Sequence, residues 1–304
     1  MAGGRPPSVR FGISSSVVGL LGGLLWACAG QAPLPSRALE LNRAGAEALS
    51  QGDLETADAR LSVALEYSPH FVEALVNLGL VEVQRGNFTR ARTLLTRARR
   101  LNPDVAQVHH GLGVLAERER RPDLASTYYR DALAVDPGFF AARANLGRLL
   151  FDAGFFEDAR LNFKKLVEVA PDSVAGHAGL AESLLRLGRA VEADRVIDRA
   201  QRRFPDDTAL IVLRARSLLR HGDNDGARQL LSPLAERRDD FSARALAWLA
   251  AAELARGEAV LAAHLARRAL SLDPGDNLAR FVLSRTQGQS EGQHLGQPGA
   301  ARVP

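Results

Sequence analysis

The sequence predicts an all-α chain: a solenoid of seven helix-turn-helix units closed by a C-terminal capping helix. Three observations carry this prediction. Gly45, Gly79, Gly113 and Gly147 stand 34 residues apart, and Ala181 and Ala215 continue the series. Pro69, Pro103, Pro137, Pro171 and Pro205 keep the same spacing, as do Ala57, Ala91, Ala125, Ala159, Ala193 and Ala227. Markers of different chemistry on one period identify stacked copies of one unit, because a lone hairpin cannot bury its apolar face.

Each unit reads as two helices and a turn. Within 38–51, Leu41, Ala44, Ala48 and Leu49 recur at helical spacing. Gly52 supplies the turn, and 53–66 repeats the pattern through Leu54, Ala57, Leu61 and Ala64. Pro69 stops the second helix. Small residues at the eighth, twentieth and usually twenty-seventh positions let the helices approach closely. The units run 38–71, 72–105, 106–139, 140–173, 174–207, 208–242 and 243–276. The third lacks the turn Gly and carries Arg120-Arg121-Pro122 instead. The sixth is degenerate: Asp239 replaces the Pro, Pro233 falls inside the second helix, and one residue is inserted. Residues 277–286 predict a capping helix, with Asp276 as its cap and Leu278, Phe281 and Val282 covering the last unit. The Gly-, Gln- and Pro-rich stretch 287–304 predicts a disordered tail.

The pattern of a small residue, Ala, a large apolar or aromatic residue, Ala and Pro resembles the tetratricopeptide repeat. The twenty-fourth position holds Leu61, Leu95, Tyr129, Phe163, Ile197 and Leu231, as that family asks. The resemblance implies a right-handed superhelix whose first helices line a concave face, mainly through positions two, five, six, nine, twelve and thirteen. In the central units these positions include Asn77, Leu80, His110, Val114, Asn145, Arg148, Phe151, Glu182 and Arg186. The expected partner-binding groove is Asn77, His110, Asn145, Arg148 and Phe151. Six of the twelve Phe fall between 139 and 163. Phe156 and Phe163 fit core positions, while Phe151 and Phe155 fit less well and are candidates for an exposed patch. The Lys and Asn pattern with which some relatives clamp a chain terminus is absent, since Asn42 and Ala46 precede Asn77 and Gln107 and Gly111 follow it.

The start of the chain reads as an address. Arg5 and Arg10 precede an uncharged run, 11–27, that ends in LLWAC. This layout, 1–27, is that of a secretory signal. LLWAC resembles a bacterial lipoprotein box, and Cys28 is the chain's one cysteine. The resemblance implies lipidation of Cys28, a tether over 28–37, and attachment to the outer membrane facing the periplasm. Simple cleavage after the run Ala27 to Ala29, or an uncleaved single-span anchor, are the other readings of the same residues. Similar lipoproteins assist envelope machines such as the type IV pilus secretin or recruit cell-wall hydrolases, so the expected partners are proteins or peptides.

Composition and spacing argue against other classes. The isoelectric point of about 9.8 suggests nucleic acid. However, all basic residues except Lys164 and Lys165 are Arg, and they interleave with 35 acids without aromatics. His109 and His110 are adjacent and diverge on a helix, so no metal constellation forms. The carboxylates are spread evenly, as solvated faces are. Gly111-Leu112-Gly113 lacks the strand a dinucleotide site needs. The expectation is a non-enzyme with no cofactor, no metal, no nucleic acid and no small-molecule substrate.

Overall fold

The computed structural model describes residues 33–237 and 242–293, with side chains described as far as 287. Cys28, the address segment, Asp239 and residues 294–304 lie outside the described residues. Among the described residues every regular element is helical. In order they are α1 (Ser36–Ser50), α2 (Leu54–Tyr67), α3 (Val72–Arg85), α4 (Phe88–Leu101), α5 (Ala106–Arg118), α6 (Pro122–Val135), α7 (Phe140–Asp152) and α8 (Phe156–Val169). They continue as α9 (Val174–Arg186), α10 (Ala190–Arg203), α11 (Thr208–Arg220), α12 (Asn224–Ala235), α13 (Ser242–Ala255), α14 (Ala259–Leu272) and α15 (Asn277–Gln293). Odd-numbered helices to α13 are the first helices of seven units. None is long and apolar enough to cross a membrane.

The sequence markers sit where the chain closes tightest. Every twentieth-position Ala, from Ala57 to Ala262, is fully buried. Eighth-position glycines lie under the twenty-fourth side chain: a Cβ on Gly147 would come within 2.9 Å of the Phe163 ring. The turn glycines adopt φ of 74 to 88°, the left-handed backbone that L side chains avoid. In the third unit Arg120 takes that role at φ 60°, so a costlier residue does the same geometric task. Asp53, Ser173, Asp207 and Asp223 cap the helices that follow them by accepting from backbone N–H groups. Asp276 does the same for α15, accepting from Ala279 N at 2.8 Å.

Two details differ from expectation. Helix α15 continues to Gln293, beyond the expected end at residue 286 and into the stretch read as tail. Helix formers there (Arg285, Gln287, Gln289, Glu291) sustain the backbone once Ala279 and Val282 are anchored on α13 and α14. Helix α1 begins at Ser36, two residues inside the expected tether.

Carboxylates are not all solvated. Glu82 and Glu253, both at the eleventh position, are 0% and 2% exposed. Glu253 receives Arg256 at 2.7 Å and Arg228 at 3.0 Å, and Arg256 reaches on to Asp225 at 2.8 Å in the preceding unit. Glu82 repeats the scheme: Arg85 and Arg90 approach it, Asn87 donates to its other oxygen at 2.8 Å, and Arg85 bridges to Asp58 at 2.7 Å. A charge buried beside two guanidiniums is tolerable, and the bridging Arg staples consecutive units. Replacing Glu253 by Gln is expected to cost about 1.5–3 kcal/mol in urea unfolding, the net worth of a charge-assisted hydrogen bond. Unchanged stability would show that the staple holds nothing.

Successive first helices touch along the stack: α1 with α3, α3 with α5, α7 with α9, α9 with α11, and α11 with α13. Second helices instead pack on the first helices on either side of them in sequence. The first helices therefore form the shorter, inner wall. Of these pairs α5 and α7 approach each other least.

Candidate functional site: the inner wall

The wide junction between α5 and α7 is filled by side chains. His110 on α5 stands with its ring 5.7 Å from that of Tyr129 and 5.4 Å, edge-on, from that of Phe139. Asn145 on α7 donates from Nδ2 to His110 Nε2 and to the Tyr129 hydroxyl, both at 3.2 Å. Tyr129 in turn donates to Glu117 Oε1 at 2.5 Å. Glu117 also receives Arg148, which holds Asp152 at 3.2 Å. With Nε2 accepting, His110 is the neutral tautomer protonated at Nδ1. Burial lowers its pKa to about 4, against a smaller opposing pull from Glu117. Burial and the Glu117 carboxylate raise that of Tyr129.

Three of the expected groove residues, His110, Asn145 and Arg148, thus belong to one network. Asn77 stands apart: its Nδ2 donates to Asn42 Oδ1 at 2.9 Å. Both asparagines belong to the expected groove, and the structure engages each Nδ2 across a unit boundary. The separation is 35 residues in both cases, because position six of one unit faces position five of the one before.

Phe151 lies on α7, with Asn145 and Arg148, and is half-buried. It meets Phe156 edge-on at 5.3 Å, and Arg186 covers both rings at 5.6 and 4.3 Å. Phe155 is the exposed one, 59% open at the turn before α8. His109 points elsewhere, its Nε2 meeting the Pro103 carbonyl at 2.7 Å. Arg143, His177 and Arg280 make the same bond to Pro137, Pro171 and Pro274. The fourth position of these units therefore secures the loop and is not part of the wall.

Sequence reasoning missed Glu117, Tyr129, Arg216 and Trp248. Arg216 takes Glu182 at 2.6 Å and lies over the Trp248 ring at 4.9 Å. Position nine on α9 and α11, and position six on α13, were readable as inner; which residues would pair there was not. Among the described residues no group of His, Cys, Asp and Glu could hold a metal ion.

A stack of helical hairpins with an inner wall of interlocked polar side chains defines a repeat solenoid. The tetratricopeptide repeat profile matches residues 42–106, 77–144, 110–154, 144–208 and 212–277, and the chain belongs to that family. Type IV pilus assembly protein PilF of Pseudomonas aeruginosa is 33% identical over 102 residues, 34% of this chain and 39% of that protein. Cellulose synthase operon protein C of Pseudomonas fluorescens is 26% identical over 253 residues, 79% of this chain but 17% of its own length. The chain therefore spans well under half of these curated relatives. A tetratricopeptide repeat protein of Parabacteroides merdae superposes with a TM-score of 0.59 at 21% identity, covering 83% of this chain and all of that one. The solved PilF structure gives 0.59 at 22%, covering 72% and 97%. At such identities these structures speak for the fold.

Proposed function

We propose that this protein is a membrane-tethered, periplasm-facing adaptor that holds a protein or peptide segment on its inner wall. A lipid on Cys28 would fix it to the outer membrane, and the segment would belong to an envelope complex under assembly. The observation that carries the reading is the preformed wall. Asn42–Asn77, His110–Asn145, Glu117–Arg148 and Glu182–Arg216 fix inner side chains across unit boundaries before any partner arrives. A wall already ordered loses little entropy on binding. The likeness to PilF over 102 residues supports the pilus-type setting. The longer match to cellulose synthase operon protein C supports a second reading, a subunit that delivers an enzyme of a larger complex.

Palmitate labelling tests the anchor: incorporation should vanish in Cys28→Ser, and persistent labelling refutes lipidation there. For the wall, truncating Asn145 or Phe151 is a poor test, since both are packing residues. A photo-reactive side chain at Gln84 or Arg118, on the inner rim, should cross-link one common partner. The same probe at Thr93 on α4 should not. Adducts from Thr93 alone would overturn the inner-wall assignment. A catalytic polypeptide in the adduct would select the second reading, and an assembly subunit the first.

A further inference from the structure

The inner wall changes character along its length. At its inner positions, units two to four carry Glu73, Glu117 and Asp152 against Arg118 and Arg148, and Arg148 is ion-paired to two of those acids. Units five to seven carry Arg186, Arg216, Arg220 and Arg244 against Glu182 alone. Glu182 is committed to Arg216. Arg186, Arg220 and Arg244 are exposed, and among the described residues none has a carboxylate within ion-pairing distance. Arg216 feels both Arg220 and Arg244: burial is the first cause of its lowered pKa, and repulsion by these two adds to it against the pull of Glu182. Between these cations the wall is low and apolar. Ala178, Gly179 and Ala209 form small steps, and Trp248 and Phe151 stand half-buried beneath Arg216 and Arg186.

We infer that the inner wall of units five to seven docks an acidic protein segment, with carboxylates set on Arg186, Arg220 and Arg244 and small apolar side chains between them. The inference rests on the reading that the inner wall binds protein segments, and it names the chemistry of the segment. Arg220 and Arg244 both repel Arg216, and Arg186 stands on the same wall, so a polyanionic partner gains the attraction of all of them and relieves the repulsion on Arg216. A polypeptide fits better than a nucleic acid. The aromatic faces are covered by Arg216 and Arg186 and so offer no open stacking platform for bases.

The test uses the full chain in detergent and three fluorescent dodecapeptides that alternate Leu or Ala with Glu, Gln or Lys. The Glu peptide is expected to bind at least tenfold more tightly than the Gln peptide, the Lys peptide not measurably, and the preference to fall steeply between 50 and 500 mM salt. In Arg220→Glu/Arg244→Glu the order should reverse while the circular dichroism spectrum stays unchanged. These two side chains are exposed and have no ion-pair partner among the described residues, so the described fold does not depend on them. Should that pair nevertheless misfold, Arg220→Gln alone should weaken the Glu peptide about threefold. Equal affinity for all three peptides overturns the acidic preference and leaves segment binding standing. No binding by any of them overturns both. Tighter binding of an oligothymidylate of matching length overturns the choice of a polypeptide.

Discussion

Gly113→Val is expected to destabilise the stack by about 3 kcal/mol, at the upper end of what overpacking a core costs. A Cβ on Gly113 would overlap Tyr129 Cε1 and Cδ1. That ring cannot swing aside cheaply, because Tyr129 is fully buried and its hydroxyl is held by Glu117 and Asn145. Urea unfolding measures the loss. The mechanism has a second readout: in a Tyr129→Ala background the same valine should cost at least about 1 kcal/mol less, since the ring that meets it is gone. Equal costs in the two backgrounds would show that the ring is not what excludes the side chain.

Acidification should weaken the fold through His110. Its pKa is about 4 when folded, well below the ordinary value near 6.5 that it regains on unfolding. Between those values the unfolded chain binds the proton and the folded one does not. The stabilisation is therefore complete above pH 6.5 and is lost as pH falls towards 4, by about 2–3 kcal/mol for a group this buried. Protonation would also set a new N–H donor against the Asn145 amide, which is already donating. Subtracting the pH profile of His110→Gln removes the part due to carboxylates, and the remaining slope should lie in that window. A His110 ring signal titrating near pH 6.5 by NMR would contradict the buried, neutral assignment.

The wall shows how far side-chain pattern reaches. His110, Asn145 and Arg148 were readable as inner because position in the unit fixes which way a helical side chain faces. Their joining was not readable, since it depends on how far α5 stands from α7. The rings that meet His110 in that gap, Tyr129 and Phe139, lie on α6 and at the N-cap of α7. Glu82 and Glu253 teach the same lesson from the other side. Along the sequence they look like any surface carboxylate, and only the arrival of Arg90 and Arg228 from the neighbouring helix makes their burial tolerable.

By itself the sequence determined the repeat: its length, the seven hairpins, the turn glycines and the alanines at closest approach. Those are local or nearest-neighbour requirements, and each is met by one residue type at one position. Only the tertiary structure decided which inner side chains lock to one another and which guanidiniums at the far end have no carboxylate beside them among the described residues. Such pairings depend on distances between consecutive units, and a period common to every unit carries no record of where two of them stand wider apart.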